Sequence, residues 1–369
     1  MWIYNQPTRI CFGLGCREKL SDLVGKLGKR PVLVSDRALK RLESVAGLAR
    51  LLGPDTKTFF DVDPNPTVAS VDALAQLICE AQCDVVVAVG GGSSLDCAKV
   101  AGAIAVQGGT ARQYHSEGRI LDARRLPLVA VPTTAGTGSE VTPIAVLDDT
   151  EKNVKAPIGH PSLFPTVALI DPSLTVTMPP LVTACTGLDA LAHAIEGYWS
   201  KNHQPICDLM ACEAMPLVFR HLRTAFNEPG NLAAREGMCM AALLGGLAFQ
   251  LPKNAAVHAC SFPLSSRYHL PHGAACAMTL DHFIRFNAAA LGDRGVKLAR
   301  AAGFDDLPAM ADAVAALKQE VGLPMRLRDA GVAPADLDWL VEASFHPLMN
   351  NNPRPVSPPE LRSLYASIL

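Results

Sequence analysis

The chain of 369 residues is longer than one hydrophobic core ordinarily supports, carries 49% apolar and 18% charged residues, and has a formal charge of −2. This describes a compact folded protein, two domains by length, and excludes a disordered or low-complexity chain. There is no basic run or aromatic-interleaved basic face for nucleic acid, no apolar run long enough to cross a bilayer, and no signal-peptide pattern in residues 1–5. Eleven cysteines are scattered without a CxxC pair. Cys97, Cys185, Cys239 and Cys276 read as small core fillers, and a reducing cytoplasm is expected.

Taken in order, β-branched runs at 31–36, 57–61, 84–89 and 127–131 read as strands, with 167–172 as the last of this half. Between them, 67–82 and 94–106 carry helical apolar spacing. Such alternation predicts an α/β domain with a mainly parallel sheet covered on both faces. From about Pro179 the β-branched runs stop. Ala/Leu/Met-rich segments at 181–200, 205–225, 232–250, 282–302, 308–321 and 334–343 predict an all-α second domain. The expected division is residues 1–178 and 179–369.

Within the α/β part, Asp36 ends the first strand, where a carboxylate either accepts from a ribose and repels a 2′-phosphate, or caps the next helix. The segment Gly90-Gly91-Gly92-Ser93-Ser94-Leu95-Asp96-Cys97-Ala98-Lys99 follows a strand and opens a helix. Its glycines let backbone amides approach a pyrophosphate at the helix start. Ser93 and Asp96 also have capping-box spacing, which needs no ligand. A second small-residue turn, from Pro132 through Thr133, Thr134 and Gly138 to Thr142, is dense in hydroxyls that either donate to phosphate or ribose oxygens or cap turns locally. Lys155 reaches a cofactor ribose or is a surface lysine.

In the helical part, residues 188–196 contain no Gly or Pro, so Asp189 and His193 fall one turn apart on one helix face. His258 and His272 follow later in the chain. An Asp and three imidazoles suit Fe(II), Zn(II) or Mn(II). The plain alternative is a helical side-chain pair and two ordinary histidines.

The order Gly-Gly-Gly-Ser-x-x-Asp-x-x-Lys, Pro-Thr-Thr-x-Gly-Thr-Gly-Ser-Glu, Gly-x-Asp-Ala-x-x-His-Ala-x-Glu and His-x13-His-Gly resembles the iron-containing (group III) alcohol dehydrogenase family across nearly the whole chain. The resemblance implies a Rossmann-like N-terminal domain, a helical metal-binding C-terminal domain of dehydroquinate synthase-like architecture, and bound NAD(P). It places metal ligands on Asp189, His193, His258 and His272. It places cofactor contacts on Asp36, Asn65, Gly91, Gly92, Ser93, Thr133, Thr134 and Lys155, and the motifs add Asp96 and Thr142. NAD is expected over NADP, with Fe(II) as the ion or Zn(II) in its stead. Members are commonly dimers or larger, often through an N-terminal β-segment, for which residues 2–5 stand here.

One departure matters. Where many members carry a further histidine four residues after the third ligand, this chain has Phe262, so a proton relay on that histidine does not carry over. The surrounding residues look more like the phosphonoacetaldehyde reductase branch. The implied chemistry is hydride exchange between a small alcohol or aldehyde and nicotinamide, with the metal held in part by His258 and His272 acting as Lewis acid on the substrate oxygen. An anionic aldehyde would call on Lys253, Arg267 or His160. The alternative is a dehydroquinate synthase-like lyase that uses NAD and metal transiently, but it needs converging Lys and Arg that these motifs lack.

Overall fold

Alternation of β-branched and helical runs builds one open sheet. The computed structural model describes residues 1–152 and 154–369. They divide into two units, Met1–Thr134 with Ser139–Thr175, and Ala135–Gly138 with Val176–Leu369.

The first unit runs β1 (Arg9–Phe12), α1 (Leu20–Gly25), β2 (Pro31–Asp36), α2 (Glu43–Leu52), β3 (Lys57–Val62), α3 (Val68–Glu80), β4 (Val85–Gly90), α4 (Gly92–Gln107), α5 (Ala111–His115), β5 (Leu128–Pro132), β6 (Ile144–Asp149), β7 (Val154–Gly159) and β8 (Val167–Ile170). Six strands form a parallel sheet in the order β1-β8-β5-β4-β2-β3. β4 is buried along its whole length. Val86 and Ala88 face one apolar core, with Val71, Leu74 and Val100, while Val85, Val87 and Val89 face the other, with Leu23, Leu33 and Leu48. A strand buried on both faces reads as a continuous apolar run because successive side chains alternate between two dry layers.

Strand order reverses between β2 and β4: β3 lies outside the one and β5 outside the other. In open α/β sheets the crevice beyond the carboxyl ends at such a point is where ligands sit. Asp36 ends β2 and the Gly90–Gly92 turn ends β4, so both flank it.

The parallel sheet and the helical second half match expectation, with two additions and one correction. β1 was not foreseen, because four residues containing Arg9 give no apolar alternation. The antiparallel hairpin of β6 and β7 was not foreseen either. Asp148, Asp149, Lys155 and Pro157 interrupt its pattern. Residues 2–5, expected as a β-segment, lie outside any strand, and Trp2 and Ile3 are exposed.

The second unit contains α6 (Pro180–Trp199), α7 (Pro205–Asn227), α8 (Leu232–Phe249), α9 (Ala256–Arg267), α10 (His272–Leu291), α11 (Asp293–Ala301), α12 (Leu307–Glu320), α13 (Leu337–Ser344) and α14 (Pro358–Ser367), with no strand among its described residues. The segment expected as one helix at 282–302 is two. α10 begins ten residues earlier, and Gly292, at φ +50°, divides it from α11. α9 was missed because Pro263 lies inside it. α8 meets the length and composition of a membrane span, which the sequence reading did not anticipate, yet 72% of it is buried inside the protein, as for a core helix.

Glycines set the closest helix approaches. A Cβ on Gly197 would lie 2.9 Å from the Ala248 carbonyl oxygen, and one on Gly245 would lie 3.1 Å from that of Ala190, so α6 and α8 meet backbone to backbone. A Cβ on Gly273 would lie 1.9 Å from the Cys185 oxygen and 3.2 Å from the Asp189 Cβ. That contact sets the start of α10 directly against the middle of α6.

Candidate metal and cofactor sites

Asp189, His193 and Glu196 lie on α6 at i, i+4 and i+7, one above the other on a single face. α9 brings His258 to that face and the first turn of α10 brings His272. Asp189 Oδ1 is 3.6 Å from Nε2 of His258 and 3.6 Å from Nε2 of His272. Two ligands sharing one ion at about 2.1 Å in tetrahedral geometry stand about 3.4 Å apart, so these separations fit a common cation. Cys276, one turn along α10 from His272, completes a set of four residues whose donor atoms all lie within 4.8 Å of one another.

His193 adjoins this set. Its Nδ1 is 3.9 Å from Asp189 Oδ2, and its ring is stacked between Phe249 at 4.2 Å and His258 at 4.6 Å. Its nitrogens nevertheless stand outside the four-residue cluster. Among the described residues, Asp189 Oδ1, His193 Nδ1 and His258 Nε2 are buried with no hydrogen-bond partner. Buried polar atoms are rarely left so, and lone pairs orphaned side by side are what a bound cation would satisfy.

Glu196 supports the arrangement from behind. Its Oε2 accepts from His258 Nδ1 at 2.5 Å and its Oε1 from the Val257 amide at 2.7 Å. A carboxylate on one ring nitrogen fixes the tautomer that presents the other as a lone-pair donor, the usual support of a metal-ligating histidine. Burial opposes charge on Asp189, but His193, His258 and His272 hold its carboxyl well below the usual range. Burial pushes His193 down to about 3, leaving it a neutral donor at physiological pH. Burial works against charge on both His258 and Cys276, yet Cys276 and Glu196 raise the imidazole, and the neighbouring imidazoles bring the thiol down to about 7. The His272 side chain is 38% exposed while those of Asp189 and His258 are 3% exposed, so the set opens to solvent at His272.

The cofactor candidates all lie in the first unit. Gly90 O accepts from the Thr133 amide at 2.9 Å, and a Cβ on Gly91 would lie 3.3 Å from Thr134, so the two small-residue turns run side by side at the ends of β4 and β5. Gly91 is the N-cap of α4 and makes no side-chain cap; the capping box expected of Ser93 and Asp96 is absent, because the helix begins at Gly92. Asp96 turns inward instead, accepting from Ser139 Oγ at 2.5 Å and the Val146 amide at 2.8 Å. Thr142 is buried and accepts weakly from Lys99 Nζ at 3.5 Å. Asp96 and Thr142 thus tie α4 to the hairpin. Asp36 Oδ1 accepts from the Leu39 amide at 3.0 Å, the local turn contact foreseen beside the ribose reading. Lys155 Nζ donates to Asn65 Oδ1 at 2.8 Å, which joins two of the candidates across β7 and the loop after β3.

The cations named for an anionic substrate are otherwise engaged. Arg267 pairs with Asp336 at 3.0 Å and lies over the Trp339 ring, His160 accepts from the Ser162 amide, and Lys253 donates to the Gln250 carbonyl oxygen. Phe262 packs edge-on to His346 at 4.9 Å.

The sequence profile of iron-containing alcohol dehydrogenases matches residues 7–172, and that of the C-terminal region of the same family matches residues 183–369. The chain belongs to the iron-containing alcohol dehydrogenase family. Its relatives include the 1,3-propanediol dehydrogenase of Klebsiella pneumoniae, 38% identical over 94% of this chain and 92% of that one. The NAD-dependent methanol dehydrogenase of Bacillus methanolicus is 32% identical over 94% of each. Among solved structures, the sulfoacetaldehyde reductase of Bifidobacterium kashiwanohense in complex with NAD+ superposes with a TM-score of 0.97 at 42% identity, over 100% of this chain and 98% of that one. The resemblance read from the four motifs is therefore borne out. As a member of the iron-containing alcohol dehydrogenase family, the protein is a metal-dependent oxidoreductase of alcohols and aldehydes, and the lyase alternative is not favoured.

Sequence reasoning missed two residues at the metal set. Glu196 carried a legible signal, three residues after His193 on the same helical face. Cys276 was read as a core filler, and its place becomes visible only once the helix is known to start at His272.

Proposed function

We propose that this enzyme reduces a small aldehyde bearing an anionic group to the corresponding alcohol, and reverses the reaction, with NAD as its nucleotide and Fe(II) or Zn(II) as its ion. Asp189, His193, His258 and His272 would hold the metal, and Glu196 keeps His258 in the coordinating tautomer. When bound, the metal supplies Lewis-acid polarisation of the substrate oxygen and the nicotinamide supplies or accepts the hydride. The single observation that carries this reading is the trio of buried, unpartnered donor atoms on Asp189, His193 and His258.

On the first unit, the glycine turn and the Thr133-Thr134 turn would receive the pyrophosphate and adjoining groups, since backbone amides there are not screened by Cβ atoms. Asp36 favours NAD, because a carboxylate keeps lone pairs beyond the one Leu39 uses and would repel a 2′-phosphate. An anionic aldehyde is supported by the similarity to the sulfoacetaldehyde reductase. A homodimer or larger assembly is supported by exposed Trp2 and Ile3. Eleven cysteines, none disulfide-bonded, suit the cytoplasm.

The test is NADH oxidation by metal-reconstituted enzyme against sulfoacetaldehyde, phosphonoacetaldehyde and neutral aldehydes of similar size. A kcat/KM at least about tenfold higher for the anionic aldehydes is expected, a difference of about 1.4 kcal/mol. Equal or better turnover of neutral aldehydes would overturn the substrate class, and no turnover of any would overturn the reading itself.

A further inference from the structure

The cations named for an anionic substrate are already engaged, but the helical unit holds a fixed neutral donor close to the metal set. Phe262 follows His258 by four residues on α9, so it lies on the same helix face, about 5.4 Å further along. His346 sits edge-on to the Phe262 ring, 4.9 Å between centroids. His258 is buried, whereas Phe262 and His346 are both half-buried, so this face becomes accessible as it leaves the donor set. His346 Nδ1 accepts from the Leu348 amide at 3.2 Å and so caps the short turn Pro347–Asn351. A ring nitrogen that accepts carries no proton, so the neutral imidazole holds its hydrogen on Nε2. Protonating Nδ1 would set two N–H groups against each other, and burial also pushes the His346 imidazole below its ordinary pKa. Nε2 has no hydrogen-bond partner among the described residues. The ring therefore offers an N–H of fixed direction that no protein group accepts.

We propose that the Nε2–H of His346 is the donor that recognises the anionic end of the substrate and so determines specificity. This rests on the anionic-aldehyde reading above and deepens it. A short aldehyde with its carbonyl at the metal set lies along the Phe262 ring, which gives its carbon chain an apolar wall, and its sulfonate or phosphonate oxygens reach His346. A hydrogen bond to an ionised acceptor is roughly twice as strong as one between neutral groups. A substrate without that group leaves Nε2 unpaired in a half-buried place, which is how a polar site rejects an apolar analogue.

Two substitutions separate this role from the turn cap. In His346→Asn the shorter amide puts its oxygen near the place of Nδ1 and keeps the cap, but no donor reaches the place of Nε2. In His346→Gln the longer amide carries its NH2 to the place of Nε2 and gives up the cap. Calorimetric titration of metal-loaded enzyme with ethanesulfonate, which has the anion and no carbonyl, reads binding without turnover. His346→Asn should bind it at least about tenfold more weakly than wild type, and its ratio of kcat/KM for sulfoacetaldehyde over propanal should fall at least about tenfold. His346→Gln should recover most of both. The reverse order, with His346→Asn like wild type and His346→Gln impaired, would leave His346 as a turn cap and overturn the proposal. Equal losses on the two aldehydes, or a wild-type profile in both variants, would overturn it as well while leaving the anionic substrate class standing. Wild type that binds no ethanesulfonate and turns over propanal as well as sulfoacetaldehyde would overturn that substrate class, and this proposal with it.

Discussion

At the scale of single residues, the site depends on side chains that do not touch substrate. Glu196 is fully buried and engages both His258 Nδ1 and the Val257 amide. Glu196→Gln removes the charge that fixes the imidazole, so metal affinity should fall about 10- to 100-fold in chelator competition with the fold intact. Unchanged affinity would remove Glu196 from the account. Away from the metal, burial raises the Glu140 carboxyl to about 6. Its folded value lies above its unfolded one, near 4.5, so its contribution to stability is fully present below pH 4.5 and is lost as pH rises through 6. Glu140→Gln should therefore be more stable than wild type at pH 8, by about 2 kcal/mol from the size of the shift, and the two should converge near pH 4.5 in thermal melts. A constant difference across that range would contradict the assignment. Asp189, His193, His258 and His272 were singled out by their types, their spacing and the family resemblance, and the structure brings Asp189, His258 and His272 together with His193 adjoining them. Asp96 shows the opposite case, since only the hydrogen bonds to Ser139 and Val146 reveal an inward, structural carboxylate.

Elements place these side chains by close approach of backbones. The Gly273 contact with the Cys185 carbonyl sets His272 beside Asp189 and leaves no room for a methyl group. Gly273→Ala should drive α10 away from α6, lowering stability by about 1 to 3 kcal/mol and reducing bound metal well below one equivalent. Wild-type melting and full metal content would show that the contact is not needed. Strands buried on both faces, such as β4, announce themselves as continuous apolar runs. The hairpin of β6 and β7 did not, because charged residues and Pro157 break its alternation. α9 was hidden for a related reason: Pro263 reads as a helix breaker, although tertiary contacts accommodate it. No element was therefore named for the helix that carries His258, while the histidine itself was singled out.

Across the whole molecule, the chain assigns its two tasks to different units. The candidate nucleotide residues lie in the first unit, Asp36 and the glycine turn at the reversal of strand order, and the candidate metal set lies among the helices of the second. The fold class was legible from the change at Pro179, where β-branched runs cease. The segment Ala135–Gly138 escaped that reading, since it precedes the change yet belongs to the helical unit. A Cβ on Gly136 would lie 2.8 Å from the Thr186 carbonyl oxygen, and one on Gly138 would lie 2.4 Å from the Gly246 Cα. Part of what looked like a phosphate-binding turn is thus a close-packing segment of the other unit. The most direct measurement compares wild type with Asp189→Asn after anaerobic loading with Fe(II) or Zn(II), recording metal per chain, NADH affinity and aldehyde-dependent NADH oxidation. The account predicts one metal per chain and turnover in wild type, and loss of both in the variant with NADH affinity unchanged. A variant that turns over aldehyde at the wild-type rate without metal would contradict it.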